Sequence, residues 1–77
     1  MKTTIQVHLF AGLKALTPMD CENYSIVPGT TVRAVLERLG VPTDAAKIIF
    51  VDGKKAELDH PLTGGERVGV FPPIAGG

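Results

Sequence analysis

Cysteine is almost absent from this chain: Cys21 stands alone, which excludes an internal disulfide and a thiolate metal cluster. Histidine is scarce too, and His8 and His60 are too scattered in sequence to suggest a metal centre. Charge of neither sign is in excess, because eight Lys and Arg offset eight Asp and Glu. Nucleic acids and anionic membranes are bound through a surplus of basic side chains, so neither is an expected partner. No apolar run approaches the ~20 residues that cross a bilayer, and Met1-Lys2-Thr3-Thr4 leads straight into an alternating pattern, not a signal peptide. The expected address is the cytoplasm.

What is present is one small domain. The 77 residues are 44% hydrophobic and 21% charged, with nine glycines and six prolines, a globular balance with many turns. A domain of this size buries about 60% of its unfolded surface, so modest stability is expected.

The period-two pattern of Thr3 to Phe10 predicts a half-buried strand, with Ile5, Val7 and Leu9 inward and Thr4, Gln6, His8 and Phe10 outward. Leu13 and Leu16, followed by Thr17-Pro18, predict one helical turn and a stop. A second strand is expected over Cys21 to Val27, with Tyr24 and Ile26 sharing a face, ended by Pro28-Gly29. Cys21 opens that strand between Asp20 and Glu22, whereas a reactive thiolate wants basic neighbours, so it reads as structural.

Thr31 is a good N-cap, and Val32, Val35, Leu36 and Leu39 follow at i, i+3, i+4 and i+7, the stripe of an amphipathic helix. Arg33 and Glu37 are spaced to pair on its wet side, and Gly40 and Pro42 supply the stop. The stripe is expected to cover the sheet face bearing Ile5, Val7, Leu9, Tyr24 and Ile26. Ile48-Ile49-Phe50-Val51, followed by Asp52-Gly53, predicts a strand and a two-residue hairpin. Lys54 and Lys55 on the returning strand guard an edge. Leu58 and Leu62 are expected to plug the sheet end around a His60-Pro61 turn, and Gly64-Gly65 to make another turn. The last strand, Arg67 to Phe71, turns Val68 and Val70 inward and Phe71 outward. Phe71, with Phe10, is therefore a candidate partner-binding surface. One amphipathic helix among strands in a small chain predicts an α+β mixed sheet crossed by a helix.

The end of the chain differs in kind. Residues 1–71 form the predicted domain, and Pro72, Pro73, Ile74, Ala75, Gly76 and Gly77 a projecting tail. The prolines hold the chain extended where it leaves the body. At ~3.1 Å per residue, the six residues from Pro72 to Gly77 reach roughly 18 Å, enough to enter another protein's active site. Gly76 and Gly77 let the backbone pass a narrow channel and present a bare α-carboxylate. That group is ionised at neutral pH and a poor electrophile, so chemistry at Gly77 needs prior activation.

Four stretches carry a resemblance: Leu9-Phe10-Ala11-Gly12-Leu13-Lys14, Pro28-Gly29-Thr30-Thr31-Val32, Asp59-His60-Pro61-Leu62-Thr63 and, most specific, Val70-Phe71-Pro72-Pro73-Ile74-Ala75-Gly76-Gly77. With these the chain resembles the MoaD/ThiS sulfur carriers over essentially its whole length, and within them the small subunits of molybdopterin synthase. The resemblance implies a β-grasp, or ubiquitin-like, fold with no bound cofactor and no catalytic residues of its own. It further implies that an E1-like adenylyltransferase adenylates Gly77 with ATP and that a sulfur donor protein converts it to a thiocarboxylate. A large catalytic subunit then passes the sulfur to a pyranopterin precursor. Carriers for thiamine thiazole or a tungsten-type pterin share this end, and the double proline favours the pterin branch. A ubiquitin-like modifier joined to lysines through Gly77 starts from the same adenylate and stays open. Asp52, where Asn is common in the family, and Gly64-Gly65-Glu66, where a more acidic turn is usual, depart from its pattern at turns and leave the tail intact.

Overall fold

Alternate burial of Ile5, Val7 and Leu9 defines the first strand, β1 (Thr3–Leu9), in a computed structural model that describes residues 2–73. A 3-10 turn over Ala11–Leu16 follows and buries Leu13, while Leu16 stays exposed. The chain continues through β2 (Tyr24–Ile26), β3 (Thr30–Thr31) and the helix α1 (Val32–Leu39). Beyond it lie a second 3-10 turn (Thr43–Ala45), β4 (Ile48–Val51), β5 (Lys54–Ala56), β6 (Pro61–Leu62) and β7 (Arg67–Phe71). Five strands form one sheet in the order β2-β1-β7-β4-β5, and β3 pairs with β6 in a separate ladder. The last strand sits at the centre, parallel to β1 and antiparallel to β4.

The helix forms where its sequence signals stand. Thr31 Oγ1 accepts the Ala34 N–H at 3.2 Å, and the Gly40 N–H closes the C-terminus on the Glu37 carbonyl. Val32, Val35 and Leu36 are buried against Ile5, Val7, Ile26, Val68 and Val70 in one core cluster, with Tyr24 and Leu39 partly buried at its margin. Removing the side chain of the fully buried Leu36 by mutation to Ala therefore costs ~2–5 kcal/mol. The architecture is the α+β β-grasp arrangement expected from the sequence, and no helix among the described residues is long and apolar enough to cross a membrane.

Several local expectations are corrected. Cys21 does not open a strand. The Asn23 N–H bonds to the Asp20 carbonyl at 2.9 Å, so residues 20–23 turn, and β2 starts only at Tyr24. The Cys21 carbonyl still accepts the Val7 N–H at 2.7 Å, which keeps the turn fastened to β1. Arg33 does not pair with Glu37 but reaches Asp59, Nε to Oδ1 3.2 Å, because the chain following β5 is tied to the start of α1 through Arg33 N–H to the Leu58 carbonyl. Pro61 is not a turn residue either: Pro61 and Leu62 pair with Thr31 and Thr30. Proline is tolerated there because this ladder has only two strands and so leaves an open side.

Both unusual turns find local satisfaction. Asp52 and Gly53 have positive φ, 54° and 81°, the signature of a type I′ hairpin turn, and Asp52 Oδ1 accepts the Arg67 N–H at 3.0 Å, binding that hairpin to β7. Glu66 receives the N–H groups of Thr63 and Gly64 at 2.8 and 2.6 Å and the Thr63 hydroxyl at 3.0 Å. Burial acts to raise its pKa, but these hydrogen bonds outweigh it and hold the carboxyl below the usual glutamate value.

Candidate functional site

The face of the sheet turned away from α1 is set by strand parity. With Val68 and Val70 in the core, Arg67, Gly69 and Phe71 of β7 point the other way. In β4 the buried residues are Ile49 and Val51, so Ile48 and Phe50 share that outer face. Ile48 lies directly across from Phe71, and Phe50 across from Gly69.

Phe10 is delivered to the same place from β1. Its N–H bonds to the Val70 carbonyl at 3.1 Å, extending the parallel ladder by one step beyond Leu9. Ala11 then takes a positive φ of 53°, uncommon for alanine, and swings the chain into the 3-10 turn, which the Leu13 N–H closes on the Phe10 carbonyl at 3.1 Å. The rings of Phe10 and Phe71 stack with centroids 4.3 Å apart and planes 2° from parallel. Phe50 meets Phe71 edge-on, at 5.9 Å and 89°. The edge-on contact is a favoured aromatic geometry, and the parallel pair is a close stack. Gly69 lies under this pair: a Cβ there would come 3.5 Å from Phe10 Cε2 and 3.9 Å from Phe71 Cε1.

The three rings form a ridge between two concavities. One, about 650 Å³, runs between Ala11-Gly12 and Ile48-Phe50, with Phe71, Pro72 and Pro73 along its length. The other, about 520 Å³, lies on the opposite side and adds His8, Asp52 and Arg67 to the same rings. His8 is half-buried there, its Nε2 3.3 Å from Gln6 Oε1. The outward strand positions carry the cations Arg67 and, opposite Phe50, Lys55, but no carboxylate. Asp52 at the turn already has one oxygen occupied by the Arg67 N–H.

Among the described residues, no group of three or more His, Cys, Asp or Glu is placed to hold a metal. Cys21 is half-buried and unpaired in its turn. What the arrangement does offer is recognition: an apolar, partly preformed surface at the point where the tail begins. Phe71 and Phe10, expected as a docking pair, are brought into direct contact, and Pro72 and Pro73 border the larger concavity. Ile74, Ala75, Gly76 and Gly77 lie outside the described residues. Phe50 and Ile48 were not singled out from sequence. The unbroken run Ile48-Ile49-Phe50-Val51 hides its faces, and only the pairing to β7 assigns them.

Comparison with known proteins agrees with this geometry. The Mut7-C ubiquitin family matches residues 2–75. The molybdopterin synthase sulfur carrier subunit of Escherichia coli strain K12 is 31% identical over 81 residues, spanning 95% of this chain and 99% of that protein. Among solved structures, a putative molybdopterin converting factor subunit 1 from Pyrococcus furiosus matches with a TM-score of 0.62 at 26% identity, over 94% of this chain and 99% of its own. Small archaeal modifier protein 1 from Haloferax volcanii matches with a TM-score of 0.65 at 19% identity, over 94% and 99%, a likeness of fold.

Proposed function

Because this chain belongs to the Mut7-C ubiquitin family and, with the molybdopterin synthase small subunits it matches, to the MoaD/ThiS sulfur carriers, we propose that it carries sulfur as a thiocarboxylate on Gly77. The observation that carries the reading is the 31% identity to a sulfur carrier subunit across 95% of the chain. The geometry supports it: the central strand β7 ends in Phe71, Pro72 and Pro73 beside an apolar ridge, so a partner docked on the ridge stands next to the tail.

The chemistry is a two-step acyl substitution on partners. A Gly77 carboxylate oxygen attacks the α-phosphorus of ATP in an E1-like adenylyltransferase, and pyrophosphate leaves. Hydrosulfide, or an equivalent from a sulfur donor protein, then attacks the acyl carbon. AMP departs with its bonding pair, one proton is released, and the thiocarboxylate remains. This chain supplies the electrophilic carbon and the docking surface; the catalytic groups belong to the partners. The large subunit of molybdopterin synthase is the proposed acceptor enzyme, with molybdopterin as the destination of the sulfur.

Intact-mass measurement after incubation with an E1-like enzyme, ATP and sulfide tests the reading. Exchange of one oxygen for sulfur, confined to residue 77, is expected. An unchanged mass with an enzyme that loads its own carrier under the same conditions refutes it, and Gly-Gly remnants on cellular lysines would assign the chain to protein modification instead.

A further inference from the structure

The larger concavity follows the start of the tail. Pro72 and Pro73 lie along it, between a wall at Ala11 and Gly12 and a facing wall at Ile48 and Phe50. Every lining side chain is hydrocarbon, so none can orient a polar ligand, and at about 650 Å³ there is room for a branched aliphatic side chain. One such residue is bonded to the rim. Ile74 follows Pro73 directly and is the one large apolar residue among 74–77.

Two constraints of chain geometry bring Ile74 to this concavity. Its Cα is about 3.8 Å from that of Pro73, which lines the wall, so its side chain starts at the rim. Consecutive prolines favour the polyproline II helix, whose turn of about three residues returns Ile74 to the side on which Phe71 points. A short tether also presents a side chain at an effective concentration on the order of millimolar or above, an advantage that no free ligand shares. Charge acts in the same direction: the exposed Lys47 donates its backbone N–H to the Phe71 carbonyl at 3.0 Å, which puts a cation beside the root of a tail ending in a carboxylate.

We infer that in the free chain Ile74 seats in this concavity and latches the tail against its own domain. The contact stands apart from the sulfur chemistry, and its consequence rests on the carrier reading above. Only three residues remain beyond the latch, a reach of roughly 9 Å at ~3.1 Å each, against roughly 18 Å for the whole tail. Gly77 is thus presented at full reach only after Ile74 has left its seat.

Nuclear magnetic resonance on the isotope-labelled full chain tests the latch. The Ile74 methyl resonances are expected upfield of random-coil positions, shifted by the ring currents of Phe50 and Phe71, with nuclear Overhauser contacts to the Ala11 and Ile48 methyls on the two walls. Ile74→Asp should move the amide resonances of Gly12 and Ile48, whereas Ala75→Asp, the same charge one residue on, should leave them in place. Gly12→Trp fills the concavity from its far wall, because the φ of Gly12 is outside the left-handed region and a Cβ built there meets nothing within 4 Å. It should return the Ile74 methyls to random-coil positions, and should it misfold, Ile48→Lys at the opposite wall, 36% accessible, is expected to do the same.

Random-coil Ile74 methyls in the parent, without contacts to Ala11 or Ile48, overturn the inference. So do contacts that persist unchanged in folded Gly12→Trp and Ile48→Lys. Contacts that appear only between labelled and unlabelled copies would give the concavity to the tail of a second chain and overturn it as well. Sulfur loading by an E1-like enzyme with ATP and sulfide is scored separately. A parent that loads but shows no Ile74 contacts loses the latch and keeps the carrier reading, and a parent that shows the contacts but never gains sulfur keeps the latch and loses the carrier reading.

Discussion

Gly64→Ala should be among the most damaging single-methyl changes in this chain. Gly64 has φ +128°, a conformation that L side chains rarely adopt, and a Cβ there would fall 2.7 Å from Thr3 Cγ2 and 2.9 Å from Thr3 Cβ. Thr3 Cβ is bonded directly to the backbone of β1, so the neighbour cannot simply rotate away. Backbone strain accounts for ~1–3 kcal/mol, and forced overpacking for another ~1–3 kcal/mol. At ~0.05–0.15 kcal/mol per residue the whole domain is worth only ~4–12 kcal/mol. Each kcal/mol moves the melting temperature ~4–8 °C at this size, so a fall of ~10 °C or more is expected. Gly65→Ala is the control: its φ is +82°, but its Cβ meets nothing within 4 Å, leaving strain alone at ~1–2 kcal/mol. Thermal and urea unfolding followed by circular dichroism measure both. The functional consequence is local as well. The Gly65 N–H bonds to the Thr4 carbonyl at 2.7 Å and the Gln6 N–H to the Glu66 carbonyl at 2.9 Å, and these contacts start the β1–β7 register that brings Phe10 to Phe71. A Gly64→Ala variant no less stable than Gly65→Ala would refute the steric reasoning.

Three further outcomes are expected. In a double-mutant cycle, Phe10→Ala and Phe71→Ala should show a coupling of ~0.5–1.5 kcal/mol in stability, since the rings stack at 4.3 Å, and strict additivity would show that they do not support each other in solution. Glu66 has a lowered carboxyl pKa in the folded chain, so its stabilising contribution is complete above the ordinary value near 4.5 and is lost as pH falls through the lower folded value. The urea midpoints of the parent and Glu66→Gln should therefore converge in acid, and a gap that stays constant down to the lowest pH would contradict the assignment. Gly76→Val should melt like the parent, because residue 76 follows β7, yet lose sulfur loading or delivery, with Gly76→Ala intermediate; near-parental single-turnover rates for the valine variant would rule out a narrow channel around the tail.

The fold was legible where a period runs long enough to count. Thr3–Leu9, Val32–Leu39 and Arg67–Phe71 each carry several buried residues at the proper spacing, so their inward and outward faces were fixed before any packing was known. The two-residue strands β3 and β6 have no period to read, and their pairing is decided by distant backbone, such as the Gly29 N–H on the Leu62 carbonyl at 2.7 Å. Arg33 shows the limit of spacing rules on a wet surface, where i, i+4 neighbours gain only ~0.2–0.5 kcal/mol and a nearby Asp59 competes on equal terms. At the site, alternation turned Phe10 and Phe71 outward. Their stacking required the parallel pairing of the chain's first and last long strands, which local sequence does not encode.

That non-local pairing also explains how a small domain keeps an apolar surface ordered, ready for the docking role proposed above. Isolated aromatic side chains on a sheet would be mobile, and a partner would have to order each of them at ~0.5–1.5 kcal/mol apiece. Here Phe71 is held by Phe10 on its face and Phe50 at its edge, over a Gly69 whose missing side chain leaves the rings room to close. Much of the ordering is done when the sheet folds, and binding energy is correspondingly freed for the partner. The same packing limits the hazard of exposed apolar surface: Phe50 and Phe71 are half-buried by one another, leaving Phe10 and Ile48 as the accessible parts of the ridge at 40% and 36%. Arg67 and Lys55 on the same outer face add two cations beside the rings, and charged side chains beside exposed apolar surface discourage unwanted pairing. On the carrier reading proposed above, the rings would supply the contact surface, and Phe71 is positioned by the central strand that leads directly into Pro72 and Pro73.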